Sequence, residues 1–407
     1  MISELNLLLA KLENRHSKVI DLSLDRLIKI KQKLNIIPKF KIISVAGTNG
    51  KGSVCFYLNH LLMKVKNINV GLYTSPHFFS FNERIMINDQ KCNDEEILTA
   101  INFILANDPE SCLTFFEITT LAAILIFNKK NIDIAVLEIG LGGRLDAVNA
   151  FEPDISIITS IGLDHTDYLG PTLNHIAYEK SGVMRENKIC VCGEELHNEM
   201  IIDQAKIKKS ILYIYNNHFS FESLFPDNLN FDLSIIQKKN LSCAVYALEK
   251  FGFSEIRQLV YRQDFFDKLF FGRFQTISKN PEIIIDVAHN EDSIKHLVNT
   301  LSSLDLKKTF LVFSILKDKN FKKYAGFFKS LKNQMEWFVA PLNSPRTESI
   351  DQLTKILNQN KLRFTSFLSI RDAYIQAINN AQKNDRIVVF GSFYVISEIF
   401  KDDYGGK

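Results

Sequence analysis

VAGTNGKGSVCFYL, residues 45–58, passes from an apolar run through a glycine-rich turn with one lysine into a stretch of helical character. The residues before it, FKIIS, are apolar and β-rich, so the segment reads as strand, turn, helix. In such a turn main-chain N–H groups and a helix N-terminus surround phosphate oxygens. The strand is expected to end at Ala46 and the turn to comprise Gly47, Thr48, Asn49, Gly50, Lys51, Gly52 and Ser53, with a helix from about Val54. Lys51 would reach the terminal phosphates of a nucleotide, and Ser53 would sit near the metal. The spacing departs from the standard phosphate-binding loop: Val45 stands at its first glycine, and Gly52 separates the lysine from the hydroxyl. Taken alone, the stretch also fits an ordinary glycine-rich turn.

Working outward, apolar β-rich runs alternate with helical patterns: INVGLYTS, IDIAVLEIG and ISIITSIGLDH, then EIIIDVAHN, TFLVFSIL, MEWFVAPL and DRIVVFGS. The alternation predicts an α/β chain with largely parallel sheets covered on both faces. Residues 195–235 are weakly periodic and rich in Asn and Asp, and read as an insertion or irregular connection. A new strand and helix series follows FFGRFQ at 270–275, which places a domain boundary there: residues 1–270, then 271–407.

Ligands of open parallel sheets bind beyond the carboxyl ends of the strands. Besides the glycine-rich turn, three runs end in reactive groups there: Ser75-Pro76-His77, then Glu138 followed by Gly140 to Arg144, then Asp164-His165. A hydroxyl, a carboxylate and an imidazole beside a phosphate loop suit a magnesium and nucleotide site, because Mg²⁺ takes few protein ligands. Each residue also has a plainer role open to it: Ser75 as a turn cap, His165 as a core histidine, Glu138 as a partner of Arg144.

In TLNHIAYEKSGVM, Leu173, Ile176, Ala177, Lys180 and Met184 fall at helical spacing, which puts Lys180 on the apolar face. Burial there favours the neutral amine, which can add CO₂ to become a carbamate, a negative group able to ligate or orient a second magnesium. The alternative is a lysine whose stem lies along the apolar face while its head reaches water.

Composition excludes other classes. The chain has 407 residues, 46% hydrophobic, enough for two or three domains. A formal net charge of +3 announces no polyanion-binding face, so nucleic acid is not expected as a partner. Apolar runs such as LAAILIF at 121–127 are too short for a bilayer, and polar and acidic residues follow Met1 in place of a leader. A soluble, cytoplasmic, monomeric protein is expected. The six cysteines show no C-x-x-C spacing and read as buried thiols of a reducing compartment, Cys190 and Cys192 as core packing in a strand.

Several stretches together resemble one family, the dihydrofolate synthase/folylpolyglutamate synthases of the Mur ligase superfamily. They are HSKVIDLSLDR (16–26), VAGTNGKGS, YTSPHFFSFNERI (73–85), TFFEITT (114–120), LEIGLGGRLDAVN (137–149), TSIGLDHTDYLGPTL (159–173), EKSGV (179–183), FGRFQ (271–275), DVAHN (286–290) and GSFYV (391–395). The resemblance implies a central Mur-ligase-type phosphate-loop domain and a smaller Rossmann-like α/β domain. It further implies that Gly47 through Ser53 bind ATP, that Ser75 and Glu138 hold one Mg²⁺, and that His165 holds a second with carbamylated Lys180 beside it. Asn240, Arg273 and Asp286 would complete the nucleotide site across the domain boundary. A pterin pocket is implied at Asp21, Leu22, Ser23 and Leu24, at Thr114, Phe115, Phe116 and Glu117, and at Leu145, Asp146 and Ala147. His289 and Ser392 would lie near the incoming glutamate. The implied substrates are dihydropteroate, tetrahydrofolate and L-glutamate. Ser23, Ile236 and Phe271 depart from the usual residues, the first within the implied pterin pocket.

Two other readings are weaker. A peptidoglycan Mur ligase needs a separate domain before the phosphate loop, and 46 residues precede Gly47. A nucleotide switch needs a guanine-selective Asn-Lys-x-Asp run, whereas Asn128-Lys129-Lys130-Asn131 ends in Asn and precedes a strand.

Overall fold

The computed structural model describes residues 3–13, 15, 21–110, 112–226, 233–261, 271–331 and 335–404. The chain forms two compact units. The first comprises Met1–His77, Phe81–Gly162 and Thr166–Phe265; the second comprises Phe78–Ser80, Leu163–His165 and Phe266–Lys407. The junction expected beside residue 270 adjoins 262–270, which lie outside the described residues.

The first unit is built on eight strands: β1 (Lys41–Ala46), β2 (Val70–Tyr73), β3 (Ile85–Ile87), β4 (Gln90–Lys91), β5 (Ile134–Glu138), β6 (Ile155–Ile158), β7 (Ile189–Cys192) and β8 (Ile211–Ile214). Their order is β4-β3-β2-β5-β1-β6-β7-β8, with the β2–β3 and β3–β4 pairings antiparallel and the others parallel. The apolar run of β1 is buried from Ile42 to Ala46, as a strand covered on both faces requires. β5 and β6 flank it on opposite sides, so the chain changes direction across the sheet at the end of β1, where ligands of such folds collect.

The helix after β1 begins at Lys51, three residues earlier than expected. Gly50 is its N-cap in left-handed conformation (φ +88°), so Lys51, Gly52 and Ser53 make the first helical turn, whose N–H groups lack intrahelical partners. Helix Phe115–Lys129 starts with a capping box between Thr114 and Glu117, and helix Ile235–Lys250 with one between Ser234 and Gln237. Ile236 therefore sits within a normally capped first turn.

The second unit carries β9 (Gln275–Lys279), β10 (Glu282–Ile285), β11 (Thr309–Phe313), β12 (Met335–Val339), β13 (Phe364–Ser366) and β14 (Arg386–Phe390). Their order is β13-β12-β11-β14-β10-β9, parallel except for β9 against β10. One face is filled by aromatic residues including Phe313, Trp337 and Phe390, the other by Ile285, Phe338 and Ile396. Phe271 packs with Phe78, Phe79 and Tyr404, ring centroids 5.1, 5.4 and 5.0 Å away.

The 195–235 stretch is more regular than its sequence suggests. It contains helices Glu199–Lys208 and Phe221–Leu224, with β8 between them; residues 227–232 lie outside the described residues. β8 is a sheet edge with Ile211 exposed and Ile214 buried, a four-residue apolar run set among Asn and Asp residues. Cys190 and Cys192 are fully buried on β7, as core packing requires. No helix among the described residues is long and apolar enough to cross a membrane.

Candidate active site

The glycine-rich loop is stapled to the end of β6. Thr48 N donates to Ser160 O (2.9 Å) and Asn49 N to Ser160 Oγ (3.0 Å), while Thr159 Oγ1 donates to Asn49 O (2.6 Å). A Cβ on Gly47 (φ +147°) would stand 1.8 Å from Thr159 Oγ1, and one on Gly50 would stand 2.8 Å from Asn240 Oδ1. Both glycines thus meet a demand for left-handed backbone and a lack of space. Thr159 and Ser160, which the sequence reading passed over, are supports of the loop. Lys51 Nζ turns back onto Gly47 O (2.9 Å) and Thr48 O (3.3 Å), which holds its ammonium over the loop. Gly52 lies on the same first helical turn, and Ser53 there is buried.

At the end of β5, Glu138 is 5% exposed, and its Oε2 accepts the N–H of Ser75 (3.0 Å). This joins two residues that sequence separates by 63 positions. Among the described residues no three His, Cys, Asp or Glu side chains gather as a ready metal cage. A buried hard carboxylate oxygen beside a serine and a phosphate loop nevertheless suits Mg²⁺, which fills its shell with phosphate oxygens and water.

Asp146 is buried, with Oδ2 accepting from Leu141 N (2.8 Å) and Oδ1 from Val148 N (3.0 Å). Desolvation raises its pKa to about 7, opposed by those N–H donors, that of Gly140 and the charge of Lys51. Its neighbour Leu145 is exposed and Ala147 buried. Thr114, Phe115, Phe116 and Glu117 lie together at one helix N-terminus, and Tyr73 meets Phe116 at 5.9 Å between ring centroids. Asp21 is tied to that helix through Arg26, whose Nε donates to Glu117 Oε2 (2.9 Å) and whose Nη1 donates to Asp21 Oδ2 (2.7 Å). Leu22, Ser23 and Leu24 follow Asp21 directly, with Ser23 N donating to Asp21 O. Ser23 is not among the residues with positive φ, so serine in place of glycine carries no backbone strain.

Lys180 ends helix Leu173–Lys180 and is 4% exposed, beside buried Ile176 and Ala177. The apolar-face placement holds, although Met184 lies beyond the helix, after a tighter turn from Ser181 to Val183. Gly143 packs so closely on this helix end that a Cβ would sit 2.8 Å from Glu179 O and 2.9 Å from Lys180 O.

His165 groups with the second unit, as do Arg273, Asp286, His289 and Ser392. Its Nε2 lies 3.3 Å from Lys319 Nζ, whose ammonium is 2.7 Å from Asp164 Oδ1. Lys319, with its ion pairs and hydrogen bonds, holds Asp164 well below the usual carboxylate range against the upward push of burial. Asn290 Nδ2 also donates to Asp164, at 3.1 Å. His289 is kept neutral at neutral pH, its pKa lowered to about 4 by burial and by Lys319. Asp286 accepts from Phe274 N and Ala288 N, both at 2.7 Å, and burial raises it to about 6 against the pull of Arg273. Arg273 lies over the Phe393 ring at 5.0 Å, next to buried Ser392. Asn240 belongs to the first unit and is buried against Gly50. Lys319 had no signal in the sequence beyond its place in a Lys-Asp-Lys run.

Comparison with known proteins converges on one class. Residues 45–245 match the Mur ligase middle domain and residues 272–393 the Mur ligase glutamate ligase domain, which with the phosphate loop defines a Mur-type ligase. The dihydrofolate synthase/folylpolyglutamate synthase of Escherichia coli (strain K12) is 33% identical over 404 residues, 97% of this chain and 94% of that protein. The structure of E. coli FolC in complex with DHPP and ADP matches with a TM-score of 0.88 at 30% identity, covering 98% of this chain and 97% of the other. A bifunctional folylpolyglutamate synthase/dihydrofolate synthase with Mn, AMPPNP and L-glutamate bound gives 0.87 at 33% identity, with 98% of each chain covered. The chain belongs to the dihydrofolate synthase/folylpolyglutamate synthase family.

Proposed function

We propose that this chain carries out its family's ligation with the residues described above, the stapled glycine-rich loop being the observation that carries the reading. The chain is an ATP-dependent, ADP-forming ligase. It joins L-glutamate to dihydropteroate, giving dihydrofolate, and to reduced folates, giving folylpolyglutamates. An amide cannot form readily from a carboxylate at neutral pH, because the oxygen is a poor leaving group. Transfer of the γ-phosphoryl group of ATP to the carboxylate gives an acyl phosphate and ADP. The glutamate amine then attacks the acyl carbon, the C–O bond breaks, phosphate leaves and the amine gives up a proton.

Gly47, Thr48, Asn49, Gly50, Lys51, Gly52 and Ser53 bind the ATP phosphates, through main-chain N–H groups of the first helical turn and the Lys51 ammonium. Asn240, Arg273 and Asp286 bind the rest of the nucleotide. Ser75 and Glu138 hold one magnesium; when bound it offsets the charge that gathers on the phosphoryl oxygens. His165 holds a second, and Lys180 is present as its carbamate. Residues 1–270 form the ATP- and pterin-binding domain and residues 271–407 the glutamate-ligase domain, with His289 and Ser392 near the incoming glutamate. Asp21 to Leu24, Thr114 to Glu117 and Leu145 to Ala147 receive the pterin. The enzyme acts as a cytoplasmic monomer.

The test is product analysis of purified enzyme with ATP, L-glutamate and either dihydropteroate or tetrahydrofolate. ADP, phosphate and a glutamylated product are expected with both. AMP and pyrophosphate, or no glutamate addition to either acceptor, would overturn the reading.

A further inference from the structure

Glu117 is 4% exposed, and its two carboxylate oxygens are treated very differently. Oε2 accepts three donors: Thr114 N at 2.7 Å, Thr114 Oγ1 at 2.9 Å and Arg26 Nε at 2.9 Å. Oε1 is buried and accepts none. An arginine facing a carboxylate commonly covers both oxygens with a two-pronged contact. Here Arg26 spends one nitrogen on Glu117 and turns the other two to Asp21, with Nη1 on Oδ2 and Nη2 on the main-chain oxygen, both at 2.7 Å. The guanidinium therefore fixes the rotation of Glu117 without occupying Oε1.

A buried carboxylate oxygen without a donor is unfavourable, and that cost is removed by a ligand that brings an N–H. The first turn of helix Phe115–Lys129 supplies the rest of a recognition surface. Phe115 and Phe116 stand half-buried directly before Glu117, and the helix N-terminus further favours a negative side chain there. A flat heterocycle with N–H groups along one edge matches this combination. A pterin ring has such an edge, formed by its 2-amino group and N3–H.

The geometry points to Arg26 as a positioning residue for pterin recognition, holding Glu117 so that Oε1 is the acceptor for the ring's N–H donors. The inference rests on the ligase reading above and names an atom and a residue within it. Arg26 acts through Glu117 and Asp21 and takes no part in phosphoryl transfer. Its influence should fall on the affinity and discrimination of the pterin-bearing substrate.

The experiment compares wild type, Arg26→Gln and Arg26→Lys by steady-state kinetics with dihydropteroate and with its 2-desamino analogue, at saturating ATP and L-glutamate. Wild type should prefer dihydropteroate over the analogue in kcat/KM by about tenfold, the scale of one hydrogen bond to a charged acceptor. In Arg26→Gln the KM for dihydropteroate should rise by about tenfold and the preference should shrink towards unity, while the KM values for ATP and L-glutamate stay within about twofold. Arg26→Lys, which keeps the charge but not the fork, should restore part of the preference. Equal kcat/KM of wild type for the two acceptors would overturn the proposal without recourse to any variant, so a variant that fails to fold does not protect it. A preference unchanged in Arg26→Gln, or an equal rise in all three KM values, would overturn it too. Absence of glutamate addition by wild type to any pteroate or folate would instead sink the ligase reading.

Discussion

The main-chain N–H of Ser75 donates to Glu138 Oε2 at 3.0 Å, which locks the segment after β2 to the end of β5. The contact gives Glu138 a fixed rotation with its carboxylate buried, the preorganisation that a single metal-binding group needs. Glu138→Gln keeps an acceptor for the Ser75 N–H and removes the charge. It should fold with a melting temperature close to wild type and lose at least about a hundredfold in kcat, the scale of removing one electrostatic contact from a preorganised site. Glu138→Ala should lose activity equally and melt earlier as well, because Ser75 N is left without its partner. Near-normal turnover of either variant at ordinary magnesium concentration would remove Glu138 from the metal site.

Gly50→Ala should damage nucleotide binding through the backbone. The φ of +88° costs a non-glycine residue about 1–3 kcal/mol, and the added methyl group would meet Asn240 Oδ1 at 2.8 Å. The expected result is a raised dissociation constant for ADP in calorimetric titration, with a lower melting temperature. Because Asn240 itself belongs to the proposed nucleotide site, the double variant with Asn240→Ala is compared with Asn240→Ala alone: the Oδ1 contact is gone but the torsional cost remains, so affinity should recover only in part towards that single variant. Full recovery would show that space, not backbone conformation, dictates the glycine.

Lys180 tests the carbamate. Lys180→Ala and Lys180→Arg should both be inactive, since neither can form a negative carbamate there and arginine keeps its positive end. Short carboxylic acids should partly restore Lys180→Ala by filling the emptied place with a negative group. A carbamate carbon resonance in enzyme equilibrated with ¹³C-bicarbonate is the direct measurement. Active wild type with no such signal at saturating bicarbonate would refute the assignment.

Asp286 predicts a pH effect with a definite sign. Burial raises its folded pKa from 3.8 to about 6, so the folded protein holds this proton more tightly than the unfolded chain. Its favourable contribution is complete below pH 3.8 and is lost as the pH rises through about 6. Arg273 pulls in the opposite direction, so Arg273→Gln should move the carboxyl titration above 6, measured by carboxyl ¹³C shifts. A titration that stays put or moves down would show that the Arg273 charge does not act on Asp286.

The strand and helix alternation, the phosphate loop and the burial of Lys180 were all legible in the chain, because each is written in local periodicity and in glycine placement. A central parallel strand needs a nearly continuous apolar run, and β1, β5 and β6 announce themselves that way. β8 was passed over although Ile211 to Ile214 is itself an apolar run, because it is only four residues long and lies within an Asn- and Asp-rich stretch. The helix start at Lys51 was missed for a different reason: a left-handed Gly50 can begin a helix at once, and sequence does not record φ.

Contacts between distant segments were another matter. Thr159 and Ser160 lie more than a hundred residues from the loop they hold, and Arg26 lies 91 residues from Glu117. The pairing of Lys319 with Asp164 spans 155 residues. Hydrogen bonds and ion pairs depend on distance and angle, which only the packed strands and helices define, whereas hydrophobic periodicity is a property of neighbours along the chain. The chain's own order of residues thus determined its class of fold and its phosphate loop; tertiary packing decided which carboxylate oxygen is saturated and which is left to accept.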